Sequence, residues 1–239
     1  MTTPSSVPVI AISGASAGIG LAIAEDFAAL SWNVSISART QDDLLNLEKR
    51  WATDYPESQL HTIALDLAQP TAAEMWAEAI QKRFGRLDVL VHNLGQFQPG
   101  TLLGGEVEQL TNLMNTNVLS AHYLTRALLP FLETAENAHL ITIGSVATTD
   151  WPAPLAAYSI SKYALEGWHR AMQKELSPYR VQTTLIRPGA TYTRSWEGVE
   201  VDPKTLLQPA QIARLVTQTV LGSTGAHLDE ITIRPEANG

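Results

Sequence analysis

Short aliphatic and β-branched runs begin near Val7, Val34, Thr62 and Val89, about 27 residues apart, and each is followed by apolar residues at helical spacing. Ile19, Ile23, Phe27 and Leu30 form one such stripe, and Trp76, Ala79, Ile80 and Phe84 another. The alternation predicts repeated βα units and therefore a parallel sheet with crossover helices on both faces. Further strands are predicted at Leu140–Ile143, Val181–Ile186 and Ile231–Ile233, with long helices at about 105–133 and 155–178. That makes seven strands in an α/β, doubly wound, Rossmann-type fold. Helix starts are marked by Thr40 ahead of an acidic turn, and by Thr71 and Glu74, whose spacing matches a capping box. Nothing between these elements has the length or composition of a linker, so residues 1–239 are expected to be one domain. Thr2–Ser6 and Ala237–Gly239 are expected to fray.

Composition narrows the function. The 239 residues contain no cysteine, which removes disulfides, thiolate metal sites and cysteine nucleophiles together. A formal charge of −8 has the wrong sign for general nucleic-acid binding. The first cation is Arg39, so a basic targeting segment is not expected, and no apolar run approaches a membrane span. The expectation is a cytoplasmic protein. Its six histidines are scattered without a ligand pattern, so no metal is expected, and His92 reads as a satisfied buried histidine.

Directly after the first strand stands Ser13-Gly14-Ala15-Ser16-Ala17-Gly18-Ile19-Gly20, opening the first amphipathic helix. Glycines at 14, 18 and 20 permit a tight turn, close approach of a pyrophosphate and close helix packing, while the helix start supplies N–H donors. An ordinary glycine-rich turn is the alternative. No Gly-Lys-Ser/Thr follows, which argues against nucleotide hydrolysis. At the end of the second strand, where dinucleotide folds place an acid against the adenine ribose, the sequence has Ala38-Arg39. An Arg there can pair with a 2′-phosphate, favouring NADP(H) over NAD(H), unless it is a plain solvated side chain.

Tyr158 and Lys162 lie one helical turn apart, and an ammonium beside a phenol is expected to lower the phenol's pKa toward working pH, as an acid/base requires. Ser145 ends the fifth strand, where a hydroxyl can polarise a carbonyl; a turn serine is the alternative. The Gly-x-Ser-x-Gly of a hydrolase is absent around it. Asn117 falls in phase with the buried stripe Leu110, Leu113, Met114, Val118, Ala121 and Leu128, so its amide needs a partner.

Taken together, the glycine turn, Asn93 in His92-Asn93-Leu94-Gly95, Asn117, Ser145, Tyr158, Lys162, and Pro188-Gly189 with Thr193 resemble the compact short-chain dehydrogenase/reductases over about residues 7–235. The resemblance implies metal-free hydride transfer. It assigns Tyr158 as acid/base, Lys162 as its modulator and a nicotinamide-ribose ligand, Ser145 as holder of the carbonyl oxygen, and Asn117 as seat of a relay water. It likewise places Gly14, Ser16, Gly18, Ile19, Gly20, Arg39, Asp66, Asn93, Gly95, Pro188, Gly189 and Thr193 along the cofactor, with Asp66 at the adenine. Where relatives carry Thr, Asn, Ala and Ser, this chain has Ser13, His92, Leu94 and Gly144, and the bulk of Leu94 is expected to narrow the cofactor floor.

The segment at about 190–206 is expected to be the substrate lid. Trp151, Tyr192 and Trp196 suggest an aromatic pocket for a small carbonyl or alcohol, although each could serve packing alone. Arg194 could meet a substrate carboxylate or remain solvated. The readings are an NADPH-dependent ketone or aldehyde reductase, a 3-oxoacyl-thioester reductase, or a non-catalytic NADP(H)-binding sensor or scaffold. By the resemblance, the two long helices also make a homodimer or homotetramer.

Overall fold

Val9–Ser13 (β1) reads Val-Ile-Ala-Ile-Ser and is buried along its whole length, as a strand covered on both faces must be. Its alternate side chains supply two separate cores. Ile10 and Ile12 point into one cluster, and Val9 and Ala11 into the other. In the computed structural model, which describes residues 5–222 and 226–236, seven strands make one sheet. The others are β2 Asn33–Ala38, β3 Leu60–Ala64, β4 Val89–His92, β5 His139–Ile143, β6 Gln182–Pro188 and β7 Glu230–Ile233. All pair in parallel, in the order β3-β2-β1-β4-β5-β6-β7. β3 and β7, each paired on one side, are the strands that are not fully buried along a face.

One face is covered by α1 (Gly18–Ala29), α2 (Gln41–Asp54) and α8 (Pro209–Leu221), through Ile23, Phe27, Leu44, Trp51, Ile212 and Val216. The other is covered by α3 (Pro70–Arg83), α5 (Ser120–Leu132) and α7 (Ala156–Leu176), through Trp76, Ile80, Leu124, Leu128 and Leu176. Trp76 is fully buried and its indole N–H donates to Ser35 at 2.8 Å, so its polar atom is satisfied within the core. Two short helices, α4 (Gln109–Met114) and α6 (Ala147–Asp150), complete the set. Among the described residues, no helix is long and apolar enough to cross a membrane.

Three local expectations are corrected. The Thr71–Glu74 capping box does not form: α3 starts one residue earlier, with Pro70 in its first turn and Gln69 as an N-cap that makes no side-chain bond. Proline's fixed φ suits the first helical position, where its missing N–H costs no hydrogen bond, so the helix starts at Pro70 and Thr71 lies inside it. The helix expected over 105–133 begins at Gln109 and changes pitch to a π-turn over Asn115–Leu119, which carries Asn117. Leu30, assigned to the apolar stripe of α1, lies beyond the helix end and is exposed. Of the expected frayed ends, residues 2–4 and 237–239 lie outside the described residues, whereas Ser5 is docked, its N–H donating to Phe84 O at 2.7 Å.

His92, His139 and His169 are all buried. Burial holds their pKa values at about 3, 4 and 4, each further modulated by neighbouring charges. In the unfolded chain an exposed histidine takes up its proton at about pH 6.5. Stability that is intact above about pH 6.5 is therefore lost as the pH falls toward the folded values, by up to about 1.4 kcal/mol per pH unit for each histidine. Thermal unfolding followed by circular dichroism is expected to give a Tm that falls between about pH 7 and pH 5.

Candidate active site

The strand order reverses between β1 and β4, so the segments leaving their C-terminal ends part and open a crevice. On the β1 side the chain turns through Gly14 and Gly18 at φ of +66° and +59°, a region that side chains other than glycine rarely adopt. Ser13 fastens this turn to β4. Its hydroxyl donates to Val91 O (3.2 Å) and accepts from the backbone N–H groups of Asn93 (3.1 Å) and Leu94 (3.0 Å). The Asn93 side-chain amide donates back to the carbonyls of Ser13 (3.0 Å) and Gly14 (2.8 Å). A Cβ on Gly20 would sit 2.4 Å from that amide nitrogen, so position 20 has no room for a side chain. α1 begins with neither a side-chain cap nor an acid in its first turn. Its free N–H donors and positive dipole end suit an anion, and with the glycine turn they fit the pyrophosphate of a dinucleotide.

The remaining expected cofactor positions surround this turn. Arg39 is exposed after β2 and makes no hydrogen bond or ion pair with the described residues. Asp66 is exposed after β3, with Oδ1 accepting from Ala68 N at 3.2 Å. Ser16 and Ile19 are partly buried on either side of Gly18. Thr193 lays its methyl 3.2 Å from where a Gly18 Cβ would be, and its hydroxyl pairs with Ser195. Pro188 O accepts from Val146 N (3.1 Å) and Gly189 N donates to Ile233 O (2.8 Å), which fixes the end of β6 against the Ser145 segment and β7. Arg194 is exposed, in line with a solvated side chain, and pairs with Asp43 of α2 at 2.9 Å, which links the segment after β6 to α2.

A continuous line of contacts leads from the turn to the chemical residues. Gly14 packs on Leu94, whose Cα would be 3.0 Å from a Gly14 Cβ, and Gly95 leaves room for the Lys162 amine, which would be 3.1 Å from a Gly95 Cβ. Lys162 is 4% exposed and donates to Ile143 O at 3.0 Å. Burial lowers its pKa to about 8, against an opposing pull from Glu166. Tyr158 stands one turn earlier on α7, with the Ser145 hydroxyl as the polar group that acts on its phenol. The expected electrostatics are corrected here: burial raises the phenol's pKa, the Ser145 hydrogen bond opposes the rise, and the Lys162 ammonium is turned toward the Ile143 carbonyl. Asn117, buried in the π-turn, accepts from Gln96 N (2.7 Å) and donates to Gln96 O (3.2 Å) and Ser161 (2.9 Å). The π-turn adds a residue to the helical repeat and aims this amide across to the segment after β4. His92 has one satisfied nitrogen, Nε2 against Thr125 at 2.8 Å, while Nδ1 has no partner.

The three expected substrate residues are not brought together. Tyr192 and Trp196 line a cavity of about 560 Å³ with Leu21, Thr193 and Pro209, between α1, α8 and the lid. Trp151 is exposed in a left-handed turn and packs on Tyr163, on the outer side of α7. The aromatic ring that does meet the phenol is Phe97, edge-to-face with Tyr158 at 5.1 Å. It stands in an aperiodic loop of Gly, Gln and Pro, where hydrophobic periodicity carries no signal.

Residues 8–203 match the family model described as short chain dehydrogenase. The sepiapterin reductase of Chlorobaculum tepidum is 32% identical over 238 residues, covering 95% of this chain and 96% of that protein. A metagenomic short-chain oxidoreductase solved in complex with NADP is 29% identical with a TM-score of 0.80, covering 95% and 96% of the two chains. The alcohol dehydrogenase of the archaeon Thermococcus sibiricus, solved with 5-hydroxy-NADP, shares the fold at a TM-score of 0.89 with 24% identity and 97% coverage of both chains.

Replacing Ser13 with Ala would strand the N–H groups of Asn93 and Leu94 next to the turn. The expected cost is about 1–3 kcal/mol for each group left without an acceptor, read as a lower midpoint of urea unfolding.

Proposed function

The chain belongs to the short-chain dehydrogenase family, and from that premise we propose that it is an NADP(H)-dependent reductase of ketones or aldehydes, reversible toward the alcohol, with Tyr158 as acid/base. The observation that carries the reading is the phenol of Tyr158, acted on by the Ser145 hydroxyl and edge-on to Phe97, one helical turn from a buried Lys162 that lies against Gly95 at the crevice. A pure binding protein has no use for a proton donor there. The NADP complex of the metagenomic relative and the reductase name of the Chlorobaculum relative support the two halves of the proposal.

The glycine turn and the start of α1 would hold the pyrophosphate. Arg39, an exposed cation without a carboxylate beside it, would take the 2′-phosphate. Asp66 and Asn93 would serve the adenosine, while Gly95, Lys162, Pro188, Gly189 and Thr193 would serve the nicotinamide end. When bound, the reduced nicotinamide supplies a hydride to the carbonyl carbon. The chain itself supplies the proton and the polar contacts. Ser145 donates a hydrogen bond to the carbonyl oxygen, and Tyr158 gives up its phenolic proton to the same oxygen as the alcohol forms. A phenol whose proton is held by burial is poised as the acid, which suits the reducing direction. Lys162, through its charge, stabilises the phenolate that remains, and Asn117 fixes the segment that carries Gly95 and Gln96. Phe97 gives the substrate side of the phenol an apolar edge.

Tyr158→Phe is expected to lower kcat for carbonyl-dependent NADPH oxidation by about 100-fold or more while NADPH still quenches or enhances fluorescence on binding. Retained turnover would remove Tyr158 from the acid's role; no turnover by the wild type across a panel of ketones, aldehydes and oxoacyl thioesters would favour the binding protein. Arg39→Asp is expected to weaken NADPH binding by about tenfold or more and to shift preference toward NADH, measured as the ratio of the two dissociation constants.

A further inference from the structure

Four residues after Lys162, on the same face of α7, lies a carboxylate that the chemistry above does not use. Glu166 is 3% exposed. It receives a two-pronged contact from Arg187 of β6, Nε to Oε1 at 2.8 Å and Nη2 to Oε2 at 2.9 Å. Arg187 is itself buried and immediately precedes Pro188-Gly189. The Thr148 hydroxyl lies 2.6 Å from Glu166 Oε1 and 2.8 Å from Ser145 O, and its single proton is shared between these two acceptors. One carboxylate thus joins the helix of Tyr158 and Lys162, the turn of Ser145 and the end of β6. Burying an ion pair costs desolvation and rarely improves stability over an apolar pair, so its retention here calls for a role other than holding the fold.

We infer that Glu166 is a positioning residue: braced by Arg187, it ties the Ser145 turn to the helix of Tyr158 through Thr148 and places a carboxylate one helical turn from Lys162. The inference rests on the reductase reading for its kinetic consequence, but not for its electrostatic one. Glu166 is the charged group that acts on Lys162, opposing the effect of burial. The groups facing Lys162 from the neighbouring elements, the Ile143 carbonyl and the Asn117 amide beside Gly95, carry no charge. Glu166 in turn faces Arg187 from β6, Arg170 at 3.8 Å on its own helix, the neutral His169, and Glu230 of β7, which shares Arg187 at 2.8 Å. Removing the carboxylate charge therefore leaves Lys162 with burial alone and moves its proton affinity down.

The test titrates the ε-carbon of Lys162 by NMR in the cofactor-free protein, one lysine among five. Glu166→Gln is expected to lower the midpoint by half a pH unit or more and Glu166→Asp to keep it near the wild-type value. In the holoenzyme, Glu166→Gln should lose at least tenfold in kcat, move the basic limb of the pH profile down, and bind NADPH within threefold of wild type. Thr148→Val, which keeps the charge but cuts the link to Ser145, should lower kcat severalfold with an unchanged Lys162 midpoint, and Thr148→Ser should restore it. An unmoved Lys162 midpoint in folded Glu166→Gln, or a Thr148→Val enzyme as fast as the wild type, overturns the inference. Should the wild type reduce no carbonyl, the reductase reading fails, while the lysine titration still decides whether Glu166 governs Lys162.

Discussion

The hydroxyl of Ser13 bridging β1 to the backbone after β4 is the contact on which the crevice depends. Parallel strands supply no hydrogen bonds beyond their last paired residue, so where the sheet order reverses the two exits would part freely. One oxygen, donating once and accepting twice, prevents that, and the Asn93 amide closes the arrangement from the other side. Because the turn is pinned by side chains outside α1, the first N–H groups of that helix are left without a cap and free for an anion. The same fastening carries Leu94 and Gly95 to fixed places, and Gly95 is where Lys162 finds room.

Charge at the chemical end of the crevice is governed by burial more than by pairing. Tyr158 and Lys162 are each pushed toward their neutral forms by loss of solvent, the phenol upward and the amine down to about 8. What opposes those shifts is local and polar: the Ser145 hydroxyl for the phenol and the Glu166 carboxylate for the amine. Lys162 also spends a donor on the Ile143 carbonyl, which ties α7 to the end of β5. A site built this way changes its proton affinities when solvent is admitted or excluded, so occupancy of the crevice and acidity of its groups are linked.

The segment between β6 and α8 is held at its base and at its outer part by different means. Its base is closed by backbone bonds, Leu207 N to Ala190 O at 2.9 Å and Tyr192 N to Leu207 O at 2.8 Å. Its outer part reaches across to α2 by the Arg194–Asp43 pair, which is partly exposed and therefore weak and salt-sensitive. The cavity lined by Tyr192 and Trp196 opens beside this segment, whereas Phe97 stands at the phenol. The three aromatic residues expected to share one pocket thus belong to two different surroundings, Tyr192 and Trp196 in the cavity and Trp151 on Tyr163.

All seven strands and their parallel direction were legible in the sequence, because strands buried on both faces leave continuous apolar runs and the helices between them leave a stripe of period 3.6. The glycine turn and the Tyr158–Lys162 spacing were legible for a similar reason: both are local, set by backbone freedom and by one turn of helix. The capping box at Thr71 did not form because Pro70 took the first turn, which places Thr71 inside the helix. The direction of the Tyr158 shift, the partner of Arg194, the neighbour of the phenol and the partner of Asn117 depend on atoms 13 to 151 positions away along the chain. Solvent exclusion and side-chain partnership are properties of packed surfaces, and a one-dimensional pattern holds no record of them until the sheet brings its ends together.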